Sequence, residues 1–187
     1  MRIISGSNKG KKLIMPNDKT TRPLKDMAKE SIFNILTHAK YINFHIKDSK
    51  VLDLFSGIGS FGLECISRGS KFVFFLENYP PVLEILKINI SNLKYESKSK
   101  VIDIDAFKIN NKTFQKDQKF EIIFFDPPFA NNEYLEDLKL IRQKKNYKKK
   151  HVVIIHREKK SSENFKNILN PIIIKQYGRS KIIFGKF

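Results

Sequence analysis

The sequence has a single cysteine and no long apolar run, and each shortage excludes a class of protein. Cys65 has no partner for an internal disulfide. No apolar run approaches the roughly 20 residues that cross a bilayer. The N-terminus is polar and basic, without the apolar core of a signal peptide. These shortages predict a cytoplasmic protein without a membrane partner.

Acidic residues are also few, since 19 aspartates and glutamates stand against 36 lysines and arginines, for a formal net charge of +17. Clustered cationic side chains bind nucleic acid by releasing condensed counterions, so this charge favours a nucleic-acid partner. Only six of the basic residues are arginine, however, and the lysine-rich bias of an AT-rich genome would produce the same excess. The charge alone leaves a polyanionic partner and a solvated lysine-rich surface both open.

Glycine is scarce, with eight in 187 residues and none between Gly69 and Gly178. Glycine is the usual residue in left-handed turns because it has no Cβ to clash. We therefore expect any left-handed turn in that interval to use asparagine or aspartate.

The chain is long enough for one sizeable core, and its first 49 residues form a basic extension. Two short strands are predicted at 2–6 and 11–15, around a Gly/Asn turn. A helix is predicted after Pro23, because apolar residues recur every three or four positions from 24 to 36. The residues predicted to lie off its apolar stripe are Lys25, Lys29 and Lys40. Two roles stay open for 1–49, a lid packed on the core or a substrate-binding extension.

From residue 50 to residue 187, apolar strands alternate with helical segments. Strands are predicted at 50–55, 71–76, 100–104, 120–126, 151–156, 171–175 and 181–186, and helices at 59–68, 80–93, 133–144 and 162–168. The first five strands are near-continuous apolar runs, typical of parallel strands buried on both faces. The last two are joined by so short a link that they must form an antiparallel hairpin. The pattern predicts a doubly wound, Rossmann-like α/β sheet of seven mostly parallel strands.

The first of these strands runs into a glycine-rich turn that opens a helix, in residues 51–62. Such a turn lets the backbone approach a nucleotide-like ligand closely. Gly57 and Gly59 would make room beside the ligand, and Gly62 would let the helix pack on the sheet. Glu77, at the end of the second strand, could accept hydrogen bonds from ribose hydroxyls. A dinucleotide site has the same glycine spacing and acid, so NAD stays the rival ligand.

Two further acids favour S-adenosylmethionine over NAD. Asp53, in the first strand, would repel a pyrophosphate and attract a cationic ligand. Asp105 closes the third strand, where an adenine amino group needs an acceptor and Phe107 could cover the ring. Phe55 and Ala106 stand beside these acids and belong to the same predicted cofactor site. The other interpretation of Asp105 is a helix N-cap.

The turn formed by Asp126, Pro127, Pro128 and Phe129 is the sharpest signal in the sequence. An exocyclic purine amine is a poor nucleophile, because its lone pair is delocalised into the ring. The Asp126 carboxylate and the Pro127 carbonyl could accept its two hydrogens and aim the lone pair, while Phe129 stacks on the base. The prolines hold the carbonyls in place. A strand simply stopped by two prolines would explain the prolines, but not the acid and the ring.

Four segments together resemble a known family. They are 2–4 with 11–13, 22–23 with 29–36, 52–64 followed by 67–69, and 126–129. The chain resembles the bacterial small-subunit ribosomal RNA guanine-N2 methyltransferases, the RsmD family of class I S-adenosylmethionine-dependent enzymes. The resemblance covers nearly the whole chain. It departs after Phe129, where a lysine-rich stretch at 144–150 replaces a glycine-containing connection; that stretch is either a solvated loop or part of a substrate groove.

The resemblance implies methyl transfer from S-adenosylmethionine to N2 of one guanine in 16S ribosomal RNA. It also implies that the substrate is presented in a partly assembled 30S particle. We expect the enzyme to be a monomer. Because the target base must be turned out of its stack, the basic extension is expected to hold the displaced strand. The candidate RNA contacts are Arg2, Lys11, Lys12 and Arg22.

No metal site is expected, because the histidines and Cys65 lack ligand spacing. We interpret His38, His45, His151 and His156 as ordinary surface or strand-end residues. Two other functions stay open. An adenine-N6 methyltransferase acting on DNA or RNA would use the same proline turn. A non-catalytic RNA-binding or ribosome-assembly module could have kept the fold.

Overall fold

The computed structural model describes residues 1–16, 24, 26–40, 42, 44–110, 112–129 and 133–187. Its helices are α1 (Asp26–His38), α2 (Ser60–Ser67), α3 (Pro80–Asn92) and α4 (Tyr134–Lys144), with short 3-10 helices at Glu96–Lys98 and Ala106–Lys108. Its strands are β1 (Lys50–Leu54), β2 (Phe72–Leu76), β3 (Ser99–Ile102), β4 (Phe120–Phe125), β5 (Tyr147–Glu158), β6 (Asn170–Tyr177) and β7 (Ser180–Lys186).

The seven strands form one sheet in the order β3-β2-β1-β4-β5-β7-β6. The pairs from β3 through β5 are parallel. Strand β7 runs antiparallel to both β5 and β6, as the short link between the last two strands requires. The predicted fold class, a mostly parallel doubly wound sheet ending in an antiparallel hairpin, is confirmed.

Side chains of the central strands alternate between two hydrophobic cores, one on each face of the sheet. On one face, Val51, Ile122 and Phe124 pack with apolar side chains of α1, α2 and α3. On the other face, Leu52 and Ile123 pack with α4 and with the segment after β3. Because neighbouring residues of a strand point to opposite faces, strands covered on both sides must be apolar at nearly every position.

The N-terminal segment packs on the same core as the sheet. The paired part of its hairpin is shorter than predicted, with a single antiparallel bridge between Arg2 and Lys12. Two side chains of this hairpin, Ile3 and Leu13, are buried in the core that also contains side chains of α2 and α3. The division of 1–49 from 50–187 stays a prediction from the sequence pattern.

Helix α1 buries most of its predicted apolar stripe, but its buried face also includes Lys29 and Phe33, which were not part of that stripe. Ala28 and Ile32 are buried, but the side chain of Met27 is 65% exposed. Lys29, predicted to lie off the buried stripe, is completely buried. Its Nζ donates to the backbone carbonyl of Arg2 at 2.7 Å and lies 3.7 Å from an Asp26 oxygen. Burial lowers the pKa of Lys29 despite this nearby acid.

The predicted helix at 162–168 is absent. Glu163 instead points its carboxylate at Arg157 and Lys181, at 3.2 and 2.7 Å, and only a turn forms, at 166–168. These buried ion pairs join the segment to β5 and β7, so a local helical pattern could not reveal them.

Strand β5 begins at Tyr147, earlier than predicted, so Lys148–Lys150 belong to the strand rather than to a loop. The left-handed turns between Gly69 and Gly178 match the predicted residue type at one position and differ from it at two. They occur at Lys94, Lys145 and Asn167, with φ of 59°, 54° and 59°. Two lysines take this conformation because α3 and α4 end there, and the backbone bonds of a helix end outweigh the modest cost of a Cβ.

Candidate active site

A cavity of about 450 Å³ opens at the carboxyl ends of β1, β2 and β4. This is the edge at which open parallel sheets bind their ligands. The predicted site residues that line it are Asp53, Phe55, Gly57, Glu77, Asp105, Ala106, Asp126, Pro127, Pro128 and Phe129. Two segments about seventy residues apart in the chain therefore meet at one cavity.

The glycine-rich turn forms one wall of the cavity. Phe55 and Gly57 both have left-handed backbone, with φ of 60° and 55°. The hydroxyl of Ser56, between them, donates to the carbonyls of Asp53 at 2.6 Å and Leu76 at 3.1 Å. A strained conformation at an aromatic residue persists only where neighbouring bonds hold it. The Ser56 hydroxyl thus fixes the turn between β1 and β2.

Gly59 and Gly62 do not line the cavity. A Cβ on Gly59 would stand 2.5 Å from Cδ1 of Leu86, and a Cβ on Gly62 would stand 2.3 Å from the Phe75 ring. The packing role predicted for Gly62 is thus observed. Gly59, predicted to make room beside a ligand, instead makes room for α3, because the turn directs it away from the cavity.

Glu77 joins the second strand to the glycine-rich turn. One carboxylate oxygen accepts from the backbone N–H of Gly57 at 2.8 Å. The other accepts from the backbone N–H groups of Asn78 and Tyr79, at 3.0 and 2.9 Å. A carboxylate offers about four acceptor positions, so at least one stays available for a ligand hydroxyl.

Asp53 is a buried carboxylate with an unmatched oxygen. Its side chain accepts from the backbone N–H of Gly62 at 3.0 Å through Oδ2. Oδ1 has no hydrogen-bond partner among the described residues. Burial raises the pKa of Asp53 well above its usual range, and the nearby charges of Asp126 and Glu77 add to this effect. A cationic group in the cavity would stabilise the ionised form.

Asp105 is the N-cap that the sequence left open, and it also lines the cavity. Its Oδ1 accepts from the backbone N–H of Phe107 at 3.0 Å, so the residue is an N-cap. Its side chain also lines the cavity and is 29% exposed. The rings of Phe107 and Phe55 pack with centroids 4.8 Å apart. Both rings line the cavity and form an apolar wall beside an acceptor, against which a flat base could pack.

The Asp126 turn is held by two neighbouring residues of β5, both missed by the sequence interpretation. Nδ1 of His156 lies 2.7 Å from Oδ1 of Asp126. Arg157 donates through Nη1 to the Pro128 carbonyl and through Nη2 to the Phe129 carbonyl, both at 3.0 Å. The interpretation of His156 as an ordinary strand-end histidine is therefore wrong. Only the placement of β5 beside β4 could have revealed this pair.

Two acceptors of this turn have no protein donor among the described residues. No described residue hydrogen-bonds to Oδ2 of Asp126 or donates to the Pro127 carbonyl. These are the two acceptors expected for an amine. No group of three or more histidine, cysteine, aspartate or glutamate side chains in the described part of the chain is placed to hold a metal ion.

Comparison with known proteins decides the family. A family model described as Conserved hypothetical protein 95 matches residues 1–186. The chain belongs to this family, the RsmD family of methyltransferases. Ribosomal RNA small subunit methyltransferase D of Haemophilus influenzae is 33% identical over 159 residues, covering 85% of this chain and 79% of that protein. The Buchnera aphidicola protein of the same name is 31% identical over 163 residues, covering 86% and 79%.

Solved structures agree with the RsmD-family assignment. A protein from Escherichia coli described as a methyltransferase, yhhF, has a TM-score of 0.82 at 26% identity. The match covers 99% of this chain and 96% of that chain. The fold is that of the class I methyltransferases.

Three of the four candidate RNA contacts of this RsmD-family chain lie within the described residues. Arg2, Lys11 and Lys12 are exposed on the N-terminal hairpin and do not line the cavity. Arg22 lies outside the described residues. Leu24, just before α1, does line the cavity, so the extension reaches the site.

The lysines at 148–150 lie near the start of β5 and do not line the cavity. Tyr147 pairs with Phe120 at the start of β4, whereas Asp126 follows the end of β4. Lys148–Lys150 fall in an irregular stretch of this pairing, between the partners Phe120/Tyr147 and Ile122/Val152. The alternative that they line a substrate groove stays a prediction. None of the helices in the described ranges has the length and apolarity needed to cross a bilayer.

Proposed function

We propose that this protein transfers a methyl group from S-adenosylmethionine to the exocyclic N2 of a guanine in small-subunit (16S) ribosomal RNA. The names of the Haemophilus and Buchnera relatives support ribosomal RNA as the substrate. The observation that carries the proposal is the meeting of the Asp126 turn and the glycine-rich turn at one cavity. The choice of guanine over adenine rests on the family-like N-terminal segment.

The residues of the cavity fit S-adenosylmethionine. The volume of about 450 Å³ is within the range of about 300 to 1,000 Å³ usual for small-molecule sites. Asp53 has a buried, unmatched oxygen suited to a cationic ligand, and Glu77 keeps an acceptor position for a ribose hydroxyl. Asp105 and the apolar wall of Phe55 and Phe107 suit adenine. When bound, the cofactor supplies a methyl group already activated on a sulfonium.

The protein's part in the chemistry is to orient the amine. Oδ2 of Asp126 and the carbonyl of Pro127 accept its two hydrogens, which directs the nitrogen lone pair toward the cofactor cavity. The nitrogen bears a positive charge once it has gained the methyl group, and Oδ2 of Asp126 accepts the proton that it then loses. Positioning of this kind can lower a barrier by several kcal/mol, on the order of 7 to 11 at best. Phe129 stacks on the base.

The RNA-binding part of the proposal concerns the basic extension. A base in a helix or stack must be turned out to reach the cavity, at a cost of a few kcal/mol. Arg2, Lys11, Lys12 and Arg22 bind the phosphates of the displaced strand and fix its register. The enzyme acts as a cytoplasmic monomer on a partly assembled 30S particle, in which the target is still accessible.

The test is transfer of labelled methyl from S-adenosylmethionine to small-subunit particles from cells that lack this protein. We expect label in N2-methylguanosine after nucleoside analysis, and a loss of at least about 100-fold for Asp126→Ala. Asp117→Ala, the same substitution at an exposed site before β4, is the matched control and should retain full activity. Label in N6-methyladenosine would refute the choice of base. If the protein binds the cofactor but no label reaches the RNA, the proposal that it methylates this substrate is refuted.

A further inference from the structure

We propose that His156 is a positioning residue for the methyl transfer, because its Nδ1–H donates to Oδ1 of Asp126 and thereby directs Oδ2 at the substrate amine. This inference rests on the proposed function and adds to it a residue outside the proline turn. His156 does not line the cavity, so it acts through Asp126.

The sheet register places the two residues side by side. Phe125 and Ile155 are partners in the parallel pairing of β4 and β5, so Asp126 and His156 each follow at the same level. The distance between Nδ1 and Oδ1 is 2.7 Å. The imidazole is 5% exposed and the carboxylate 18% exposed. A charged acceptor so shielded from water forms a stronger bond than an exposed pair does.

Hydrogen-bonding capacity assigns the direction of this bond. An ionised carboxylate can only accept, so Nδ1 of His156 carries the proton whether the ring is neutral or charged. Nε2 is buried and has no hydrogen-bond partner among the described residues. The ring therefore has one polar contact of consequence, and that contact is Asp126.

Packing holds the imidazole in this orientation. The ring of Phe129 meets the ring of His156 edge-on, with centroids 5.4 Å apart. The next residue, Arg157, is anchored by the carbonyls of Pro128 and Phe129. Arg157 thus binds the backbone of the proline turn, and His156 binds its carboxylate. Without His156, the Asp126 carboxylate can rotate about its side-chain bonds, so neither oxygen is held toward the substrate amine.

Three substitutions of His156 separate this role from simple packing. In His156→Asn the amide nitrogen stands where Nδ1 stood, in His156→Gln it stands where Nε2 stood, and His156→Leu has no donor. We expect His156→Asn to retain kcat within a few-fold. His156→Gln and His156→Leu should lose about 10- to 100-fold in kcat, the range typical of residues that orient a functional side chain. KM for the cofactor should stay unchanged in all three.

The control is His151→Asn, the same substitution on the same strand. His151 is buried to the same degree, but its Nδ1 contacts the carbonyl of Lys148 near the start of β5. The variant His151→Asn should leave kcat unchanged. Equal losses in His156→Asn and His156→Gln, or no loss in either, would overturn the proposal. Because Asn and Gln are both polar, that comparison decides the matter even if His156→Leu does not fold.

A second readout separates failure of this proposal from failure of the proposed function. In ¹⁵N-histidine-labelled protein, the Nδ1–H proton of His156 should be visible and protected from exchange, and Asp126→Ala should abolish that signal. An absent signal in the parent protein would overturn the proposal even if methyl transfer occurs. A present signal without methyl transfer would leave the hydrogen bond intact and refute the reaction instead.

Discussion

Glu64 should be the main anchor of the N-terminal hairpin, and Glu64→Gln tests this directly. Its carboxylate is completely buried on α2. One oxygen accepts from the backbone N–H of Ile4 at 2.7 Å. The other accepts from the backbone N–H of Ser5 at 3.0 Å and from Nε of Arg68 at 2.7 Å. One side chain therefore fixes the start of the hairpin to the helix that follows the glycine-rich turn.

The cost of the substitution follows from these contacts. Glutamine replaces one acceptor oxygen with a donor, so at least one N–H loses its partner and the Arg68 guanidinium loses its counterion. Breaking a buried ion pair from one side costs about 3 to 5 kcal/mol. A chain of this size changes its Tm by about 2 to 4 °C per kcal/mol, so Tm should fall by roughly 6 to 20 °C.

Calorimetric unfolding of both variants provides the assay. Glu84→Gln is the matched control, because Glu84 forms an ion pair with Lys87 at 2.7 Å whose side chains are 66% and 52% exposed. An exposed pair is worth less than about 1 kcal/mol, so the control should keep the parent Tm within a few degrees. A Tm of Glu64→Gln equal to that of Glu84→Gln would refute the reasoning.

Three further predictions concern the cavity and its surroundings. Asp53→Asn should weaken S-adenosylmethionine binding by about 10- to 100-fold in calorimetric titration, because a cationic ligand loses a buried charged acceptor. Arg157→Lys should lower kcat of methyl transfer by up to about 100-fold, because lysine lacks the planar guanidinium whose two nitrogens bind the Pro128 and Phe129 carbonyls. Burial raises the pKa of Asp137 from 3.8 to about 7, with smaller contributions from neighbouring acids. The folded chain then holds a proton that the unfolded chain releases above about pH 4, so the free energy of unfolding should fall as pH rises to about 7, by at most about 1.4 kcal/mol per pH unit. Urea unfolding across this range should show a flatter profile for Asp137→Asn.

Each of these predictions has an outcome that contradicts it. An unchanged Kd for Asp53→Asn would mean that the buried oxygen does not face a cation. Full activity of Arg157→Lys would mean that the turn keeps its geometry without two donors. Parallel pH profiles for the parent and Asp137→Asn would assign the pH dependence to other groups.

The order of elements was predictable because apolar patterning and chain connectivity are local properties. Near-continuous apolar runs predicted β1, β2 and β4 to within a residue or two of their ends. The short link before Ser180 required an antiparallel hairpin for geometric reasons. Glycine and proline constrain the backbone wherever they occur, so the two turns that line the cavity were visible as sequence segments.

The sequence by itself determined which strands form, which turns follow them, and that two of those turns carry acids suited to a cofactor and a base. Tertiary structure alone decided which side chains hold those acids in place. His156 and Arg157 reach the Asp126 turn only because β5 lies beside β4. The buried ammonium of Lys29 has its acceptor in the Arg2 carbonyl, 27 residues earlier in the chain. Hydrogen bonds and burial depend on residues distant in the chain, and their spacing in sequence carries no trace of those contacts.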